Sequence, residues 1–554
     1  MLMGKKQREK GAIWVWLSSL CLAAILTTVA VMLLVVVRNG VGVFWPSRVA
    51  LLTLDDGTRA LGEVMQWQTA ADGKGRRVQL KIGNRDLYGL DFRWFDEVAI
   101  RQLTYPSAAV CVERREHGNF YGFLKGDTAA AGTAADAGSA LRQRFLATWQ
   151  DVKAQAAAAA VLQSAASRVN GSRESLRLQL LRRRYHGLPD DSPATRALLA
   201  TDAELKARFT ALVDEQGRLL GALRQHTTTF VDAGGLEKET PVVDVVRLHQ
   251  PNAMSFAAKL GFCLGKIWEL LTGEPREANT EGGLFPAIVG TVMMVFVMSI
   301  FSFPLGVITA VYLREYAKDG LLVRLVRIAV SNLAGIPSIV YGIFGLGFFV
   351  YGVGGALDRL LYPERLPTPT FGTGGILWAS LTLALLTVPV VIVATEEAFA
   401  AIPRGVREGS LALGATQLQT LVRVLLPMAS PGILTGFILA MARAAGEVAP
   451  LMITGVVKLA PTLPIDGGFP YLHLNRKFMH LGFHIYDVGF QSPNVEAAKP
   501  MVFVTTLLLV LTVLLLSSTA IILRNKMKKR YTLTSFGEDA RRTRPPMPCQ
   551  PTTP

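Results

Sequence analysis

Two kinds of pattern alternate along this chain. Six segments are continuously apolar, at 13–37, 284–312, 325–351, 375–395, 432–457 and 501–523. Each reaches the roughly 20 helical residues that cross about 30 Å of hydrocarbon. Between the first and second, over 39–281, short alternations of apolar and polar residues replace the long runs. The first part of this insert, "RVALLTLDDGTRALGEVMQWQ" through "AVCVERREHGNFYGFLKG", is punctuated by Asp-Gly and Gly-Asn turns and predicts several antiparallel strands. Residues 134–224 are rich in Ala, Leu, Arg and Gln at helical spacing with almost no proline. They predict a pair of long helices turning at "GLPDDSPAT", 187–195. "PVVDVVRLHQPNAMSF" then returns to strand character. The expected fold class is an α-helical integral membrane protein with six transmembrane helices and an α+β domain inserted between the first and second.

Composition agrees with this reading. The chain has 554 residues, 50% of them hydrophobic, and a mean hydropathy of +0.33, which is high for a soluble domain. The first apolar run follows "MGKKQREK" but is about twice the length of a signal core, with no small-x-small cleavage site after it, so it reads as a retained anchor. Lys and Arg number 58 against 42 Asp and Glu, a formal charge of +16. In a membrane protein such an excess marks cytoplasmic flanks. Lys5, Lys6, Arg8 and Lys10 precede the first span, and "RNKMKKR" (524–530) follows the last. Both ends, 1–12 and 524–554, are therefore expected in the cytoplasm and 39–281 in the periplasm. The connections after the second and fourth spans also fall inside, in agreement with Arg314, Lys318, Arg324 and Arg327 in one and Arg404, Arg407 and Arg423 in the other. No stacking aromatics interleave with the basic runs, so no nucleic acid is expected as partner; membrane lipid is.

Little catalytic chemistry is visible. The four cysteines, Cys21, Cys111, Cys263 and Cys549, are not at metal-ligand spacing, and no HExxH or CxxC occurs. Cys111 and Cys263 could pair if both face an oxidising compartment. The nearest approach to a phosphate-cradling loop is "GFCLGK" (261–266), but its glycines are too close and Ile267 stands where Ser or Thr must hold magnesium. No metal site, bound cofactor or enzymatic activity is expected of this chain; if ATP and magnesium are used, another polypeptide uses them.

The fifth apolar run, "GFILAMARAAGEVAPLMITG", contains Arg443 and Glu447, each roughly ten residues or more from its nearer end. A charge at mid-span costs about 2.5–3.5 kcal/mol on translocon scales. The i, i+4 spacing sets both on one helix face. They read either as an ion pair tying spans together or as a charged station on an anion pathway. Ala442, Ala444, Ala445 and Gly446 would let another helix approach. Glu396 and Glu397 are expected at the inner interface, meeting the arginines of the following loop. Pro304 with Gly306, Pro337, Pro389 and Pro450 interrupt the spans, as in transport proteins whose freed backbone groups are satisfied by neighbouring helices or a wet cavity.

Between the fourth and fifth spans lies "EGSLALGATQLQTLVRVLLP". The spacing Glu408-x5-Gly414-x9-Val424-x-Leu426-Pro427 resembles the cytoplasmic loop by which bacterial ABC importer permeases bind separate ATPase subunits. Gly409 and Ser410 stand where that family usually has two alanines. "EGGLFPAIVGTVMMVFVMSIFSFPLGVITAVYLREYA", "GIPSIVYGIFGL" and "ARAAGEVAPLM" narrow the resemblance, over about 280–525, to PstA-type permeases of phosphate importers, which have a type I, MetI-like transmembrane domain.

The resemblance implies a non-catalytic inner-membrane permease that forms half of a phosphate pore. It implies a second, PstC-like permease, a PstB-like ATPase dimer using ATP and Mg, and a PstS-like periplasmic phosphate-binding protein. It makes 396–428 the coupling loop, two short helices bent at Gly414, and assigns Arg443 and Glu447 to the phosphate path. Relatives can carry a second arginine where this chain has Val393, a loss that Arg407 or a partner could compensate. The rivals are the same architecture carrying molybdate, sulfate or phosphonate, and a membrane-anchored sensor.

Overall fold

A computed structural model describes residues 3–69, 75–125, 135–318, 320–467, 471–492 and 494–531. The described residues form two compact units, one within Met1–Phe285, Tyr362–Pro367 and Asp487–Thr505, the other within Pro286–Leu361, Thr368–Tyr486 and Thr506–Pro554.

The first unit contains two antiparallel five-stranded sheets. Strands β1 (Val49–Leu54), β2 (Arg59–Thr69), β3 (Arg76–Lys81), β4 (Phe92–Asp96) and β5 (Ile100–Thr104) are ordered β4-β3-β2-β1-β5. Strands β6 (Val110–Arg114), β7 (Phe120–Leu124), β8 (Thr227–Val231), β9 (Glu237–Pro241) and β10 (Val245–His249) are ordered β10-β6-β7-β8-β9. The two-residue period of β1 divides its side chains between two cores. Ala50, Leu52 and Leu54 join Val78, Leu80 and Phe95, while Val49 joins Leu61, Cys111 and Tyr121.

The helical pair is as the spacing predicts, Ala135–Tyr185 and Pro193–Arg224. Ser192 caps the second helix by accepting from Thr195 N, and Pro193 stands in its first turn, where it sacrifices no hydrogen bond. The base of the pair packs on the second sheet, with Phe145, Val152 and Leu223 buried against Val110, Phe120 and Phe230. A buried ion pair, Arg114 to Asp86 at 2.9 Å, braces this sheet. A further helix, Phe256–Thr272, lies where no element was expected. It contains "GFCLGK", so that stretch is helix interior and cradles nothing. Cys111 and Cys263 are free thiols; Cys263 Sγ donates to Phe44 O at 3.1 Å. Cys549 lies outside the described residues.

Six helices among the described residues are long and apolar enough to cross a membrane: Ile13–Gly42, Phe285–Tyr316, Ser338–Leu361, Ile376–Ala400, Gln417–Gly446 and Val495–Met527. Two differ from the sequence expectation. The run at 325–351 is not one helix. Leu321–Leu333 is separate, and the span itself begins at Ser338. Pro337 disfavours helical backbone at Ile336, and Arg324 and Arg327 place polar groups on the shorter helix. The run at 432–457 is likewise divided. The fifth span starts earlier, at Gln417, ends at Gly446, and is followed by a short helix, Ala449–Thr454.

In the second unit the core joins Met293, Met294, Met298, Leu383, Ala384, Ala444, Ala445 and Leu451. Ala444 and Ala445 are buried as expected of close helix contacts, whereas a Cβ on Gly446 would meet nothing within 4 Å. The tightest approach is elsewhere on this helix. A Cβ at Gly432 would stand 2.5 Å from Ala398 Cβ, and one at Gly436 2.3 Å from Ala394 Cβ. These glycines let the fourth and fifth spans touch backbone to backbone. Pro304 and Pro389 lie inside continuous helices, while Pro337 and Pro450 stand at helix starts.

Candidate coupling loop and charged helix break

Pro403 opens a nine-residue helix, Arg404–Ala412, which ends before Gly414 at φ 85°. This is left-handed backbone, open to glycine at no steric cost. Thr416 then caps the next helix with a full capping box, its hydroxyl accepting from Gln419 N and the Gln419 side chain accepting from Thr416 N. From Gln417 the helix runs on through Pro427 into the fifth span, with a π turn at Leu421–Leu425. The bend at Gly414 is therefore joined without a loop to a membrane-spanning helix.

Two side-chain contacts fix the bend. Ser410 and Thr420 hydroxyls lie 3.0 Å apart, a bond that an alanine at position 410 could not make. Arg407 donates to Glu315 at 2.5 Å, at the C-terminal end of the second span. Below, Phe399, Leu421, Leu425, Ala429 and Ile433 form one buried cluster that includes neither Gly414 nor Glu408. Glu408, Gly409 and Gly414 are exposed, Val424, Leu426 and Pro427 are half-buried, and Leu413 is 91% exposed. An apolar residue that naked, with Leu411 and Leu418 also exposed, marks a contact surface.

Arg443 and Glu447 are brought together, at 3.5 Å, but not at mid-helix. Arg443 lies in the last turn of the fifth span, and Glu447 is the residue just past its end, extended at φ −75° and ψ 135°. The cation therefore sits where the helix dipole favours it. The pair flanks a break, Glu447–Val448, between two helices. Such irregular backbone at membrane depth is tolerated where protein or a wet cavity satisfies it. Neither side chain is sealed off, with Arg443 39% and Glu447 21% exposed. Val393 is exposed, and Arg407 is engaged with Glu315, so it supplies no second cation beside Arg443. Glu396 lies 3.6 Å from Arg327 of the Leu321–Leu333 helix, not against the arginines of the following loop.

Sequence reasoning missed Glu315, the Ser410–Thr420 bond and the Gly432–Gly436 contact. The last has a readable signal, small residues four apart on both helices. The other two depend on tertiary proximity and have none.

Residues 302–530, less than half of the chain, match the class described as binding-protein-dependent transport system inner membrane component. Within the class the similarity is to PstA proteins. The probable phosphate transport system permease PstA of Methanocaldococcus jannaschii is 36% identical over 197 residues, 35% of this chain and 63% of that protein. PstA 1 of Mycobacterium tuberculosis H37Rv is 36% identical over 172 residues, 31% of this chain and 50% of that one. PstA of Haemophilus influenzae is 31% identical over 188 residues, or 34% and 60%. The chain spans less than two thirds of these relatives' own length.

Proposed function

We propose that this chain is a multi-pass inner-membrane permease subunit that forms half of the pore of an ATP-driven phosphate importer. The observation that carries the proposal is the rigid bend at Gly414, exposed on one side and continuous with the fifth span on the other. A separate ATPase dimer, using ATP and Mg, grips the exposed helix around Glu408 and Leu413. Its closure tilts Arg404–Ala412 about Gly414, and the continuous helix delivers that motion to the fifth span. Glu315 couples the same motion to the second span through Arg407.

The chain itself holds no nucleotide and catalyses nothing. Arg443, at the helix break, lowers the electrostatic cost of a passing oxyanion. Glu447 orients its guanidinium and keeps the site from binding too tightly, since a pore must release what it conducts. A second permease subunit supplies the other wall, and a phosphate-binding protein supplies tight recognition at the periplasmic face. Both termini are cytoplasmic and the two-sheet insert is periplasmic, in keeping with the positive flanks. The periplasmic insert serves as a docking domain for partners outside the membrane.

Substrate is tested by competition. In proteoliposomes holding the full complex, excess molybdate, sulfate or phosphonate should leave labelled phosphate uptake unchanged. Uptake of one of these that phosphate does not inhibit would reassign the substrate.

A further inference from the structure

We propose that a 550 Å³ cavity in the first unit is a binding site for one zwitterionic phospholipid headgroup of the phosphatidylethanolamine type, a phosphate anion and a primary ammonium borne on an apolar tail. The inference is independent of what the permease carries. The volume falls within the range of about 300–1,000 Å³ typical of small-ligand sites.

Most charges in the cavity wall are already matched. Arg85 pairs with Glu277 at 3.0 Å, Lys266 with Glu113 at 2.9 Å and Arg276 with Glu269 at 2.6 Å. Four charges make no ion pair among the described residues, Lys81, Arg38, Glu63 and Glu281, although Glu63 and Glu281 attract Lys81 from beyond ion-pair distance. Burial pushes the Glu281 carboxyl up, outweighing the attraction of Lys81, Lys266 and Arg276. Two further groups line the cavity from deep burial. Glu113 is 4% exposed, its Oε2 without a hydrogen bond and 3.8 Å from Arg247, and His249 is 8% exposed with Nδ1 lacking a hydrogen-bond partner. Buried polar atoms are satisfied as a rule, so orphans aimed into a roomy, polar cavity point to an occupant. A phosphate matches Lys81 and Arg38. An ammonium matches Glu63 and Glu281, and it brings N–H groups into the cavity that Glu113 and His249 also line.

Apolar residues complete the lining. Gly42 closes the first candidate span, Val43 and Phe44 follow it, and Met501, Phe503 and Val504 belong to the first turns of the sixth. Span ends lie at the level of lipid headgroups. These segments are held on the unit itself: Phe44 O accepts from Cys263, the Trp45 ring packs tilted against Phe256 at 5.6 Å, and Asn494 donates to Asp91 at 2.8 Å. No residue in the most apolar window of the first span is buried by protein, so an acyl chain has a free surface to follow. An anionic lipid would leave Glu281 unpaired beside it. A choline headgroup would offer Glu281 no N–H.

The test is native mass spectrometry of the intact, detergent-purified chain after exchange with equimolar phosphatidylethanolamine, phosphatidylglycerol and phosphatidylcholine. One phosphatidylethanolamine should be retained, favoured about tenfold, and Lys81→Gln and Glu281→Gln should each reduce retention about tenfold, the size of losing one charge-assisted hydrogen bond. Gly42→Phe keeps every charge and projects into open space, and should abolish retention without lowering the melting temperature. If Lys81→Gln unfolds the unit, Glu281→Gln and Gly42→Phe decide. Equal retention of the three lipids, or retention unchanged in these variants, overturns the proposal. So does soluble phosphoethanolamine binding as tightly as the lipid, because the apolar wall would then contribute nothing.

Discussion

Arg407 donates to Glu315 across 2.5 Å, joining the helix before the Gly414 bend to the C-terminal end of the second span. Both side chains are at least two-thirds buried, so the contact is more than a solvated surface pair. Through it, a push on Arg404–Ala412 reaches two spans at once: the fifth by continuous helix and the second by ion pair. Glu315→Gln should leave the chain inserted but raise the ATP hydrolysed per phosphate imported. Paired hydrolysis and uptake measurements check this; an unchanged ratio would show that the second span is not driven through this contact.

Gly414 holds φ 85° in open space, with nothing within 4 Å of where a Cβ would lie. Any cost of substitution is therefore backbone strain, about 1–3 kcal/mol for a residue that resists left-handed backbone. Gly414→Val should abolish uptake while insertion persists. Gly414→Asn, which tolerates this conformation, should retain most of it. Equal uptake by both variants would remove the rigid bend from the mechanism.

Arg443→Gln keeps a donor at the helix break and deletes the charge. Phosphate uptake should fall at least tenfold, about 1.4 kcal/mol or more in barrier, while assembly with the second permease, read by co-purification, stays intact. Loss of assembly instead would make the 3.5 Å contact with Glu447 a structural tie.

The insert carries two acid-sensitive groups in separate pH windows. Burial holds the His249 imidazole down to about 4, from an ordinary 6.5. The unfolded chain therefore takes up a proton that the folded one refuses, and stability falls by about 3 kcal/mol as pH drops from 6.5 to 4. Burial alone would raise Asp86, but Arg114 and Lys238 outweigh it and hold the carboxyl at about 2, against an ordinary 3.8. Its contribution, about 2 kcal/mol, is present above pH 4 and lost as pH falls towards 2. Hydrogen exchange of β6 and β10 in the full chain should quicken in both windows. His249→Phe, packed against Phe262 as the imidazole is, should flatten the upper one and Asp86→Asn the lower. A single transition untouched by either variant would contradict these assignments.

Much of this architecture is legible from pattern alone. The period of two in "VALLTL" and the helical spacing of 134–224 survive into the structure because each segment has one buried face. Hydropathy failed where a run of apolar residues hid a break. Between Leu333 and Ser338 the backbone rule at Pro337 outweighs apolar continuity. After Gly446 the chain turns although its neighbours other than Glu447 are small or apolar, which moves Arg443 and Glu447 from mid-helix to a helix end. The helix Phe256–Thr272 went unseen because it is too short for a span and follows strand-like sequence. The Ser410–Thr420 and Arg407–Glu315 bonds could not be read at all, since each joins residues whose proximity only the fold creates.

The most direct measurement is labelled phosphate uptake into proteoliposomes assembled with and without the ATPase subunits, the binding protein being present in both. Uptake that needs the ATPase and hydrolysable ATP, and that Gly414→Val abolishes, is the predicted result. Uptake of equal rate with the ATPase omitted would contradict the account.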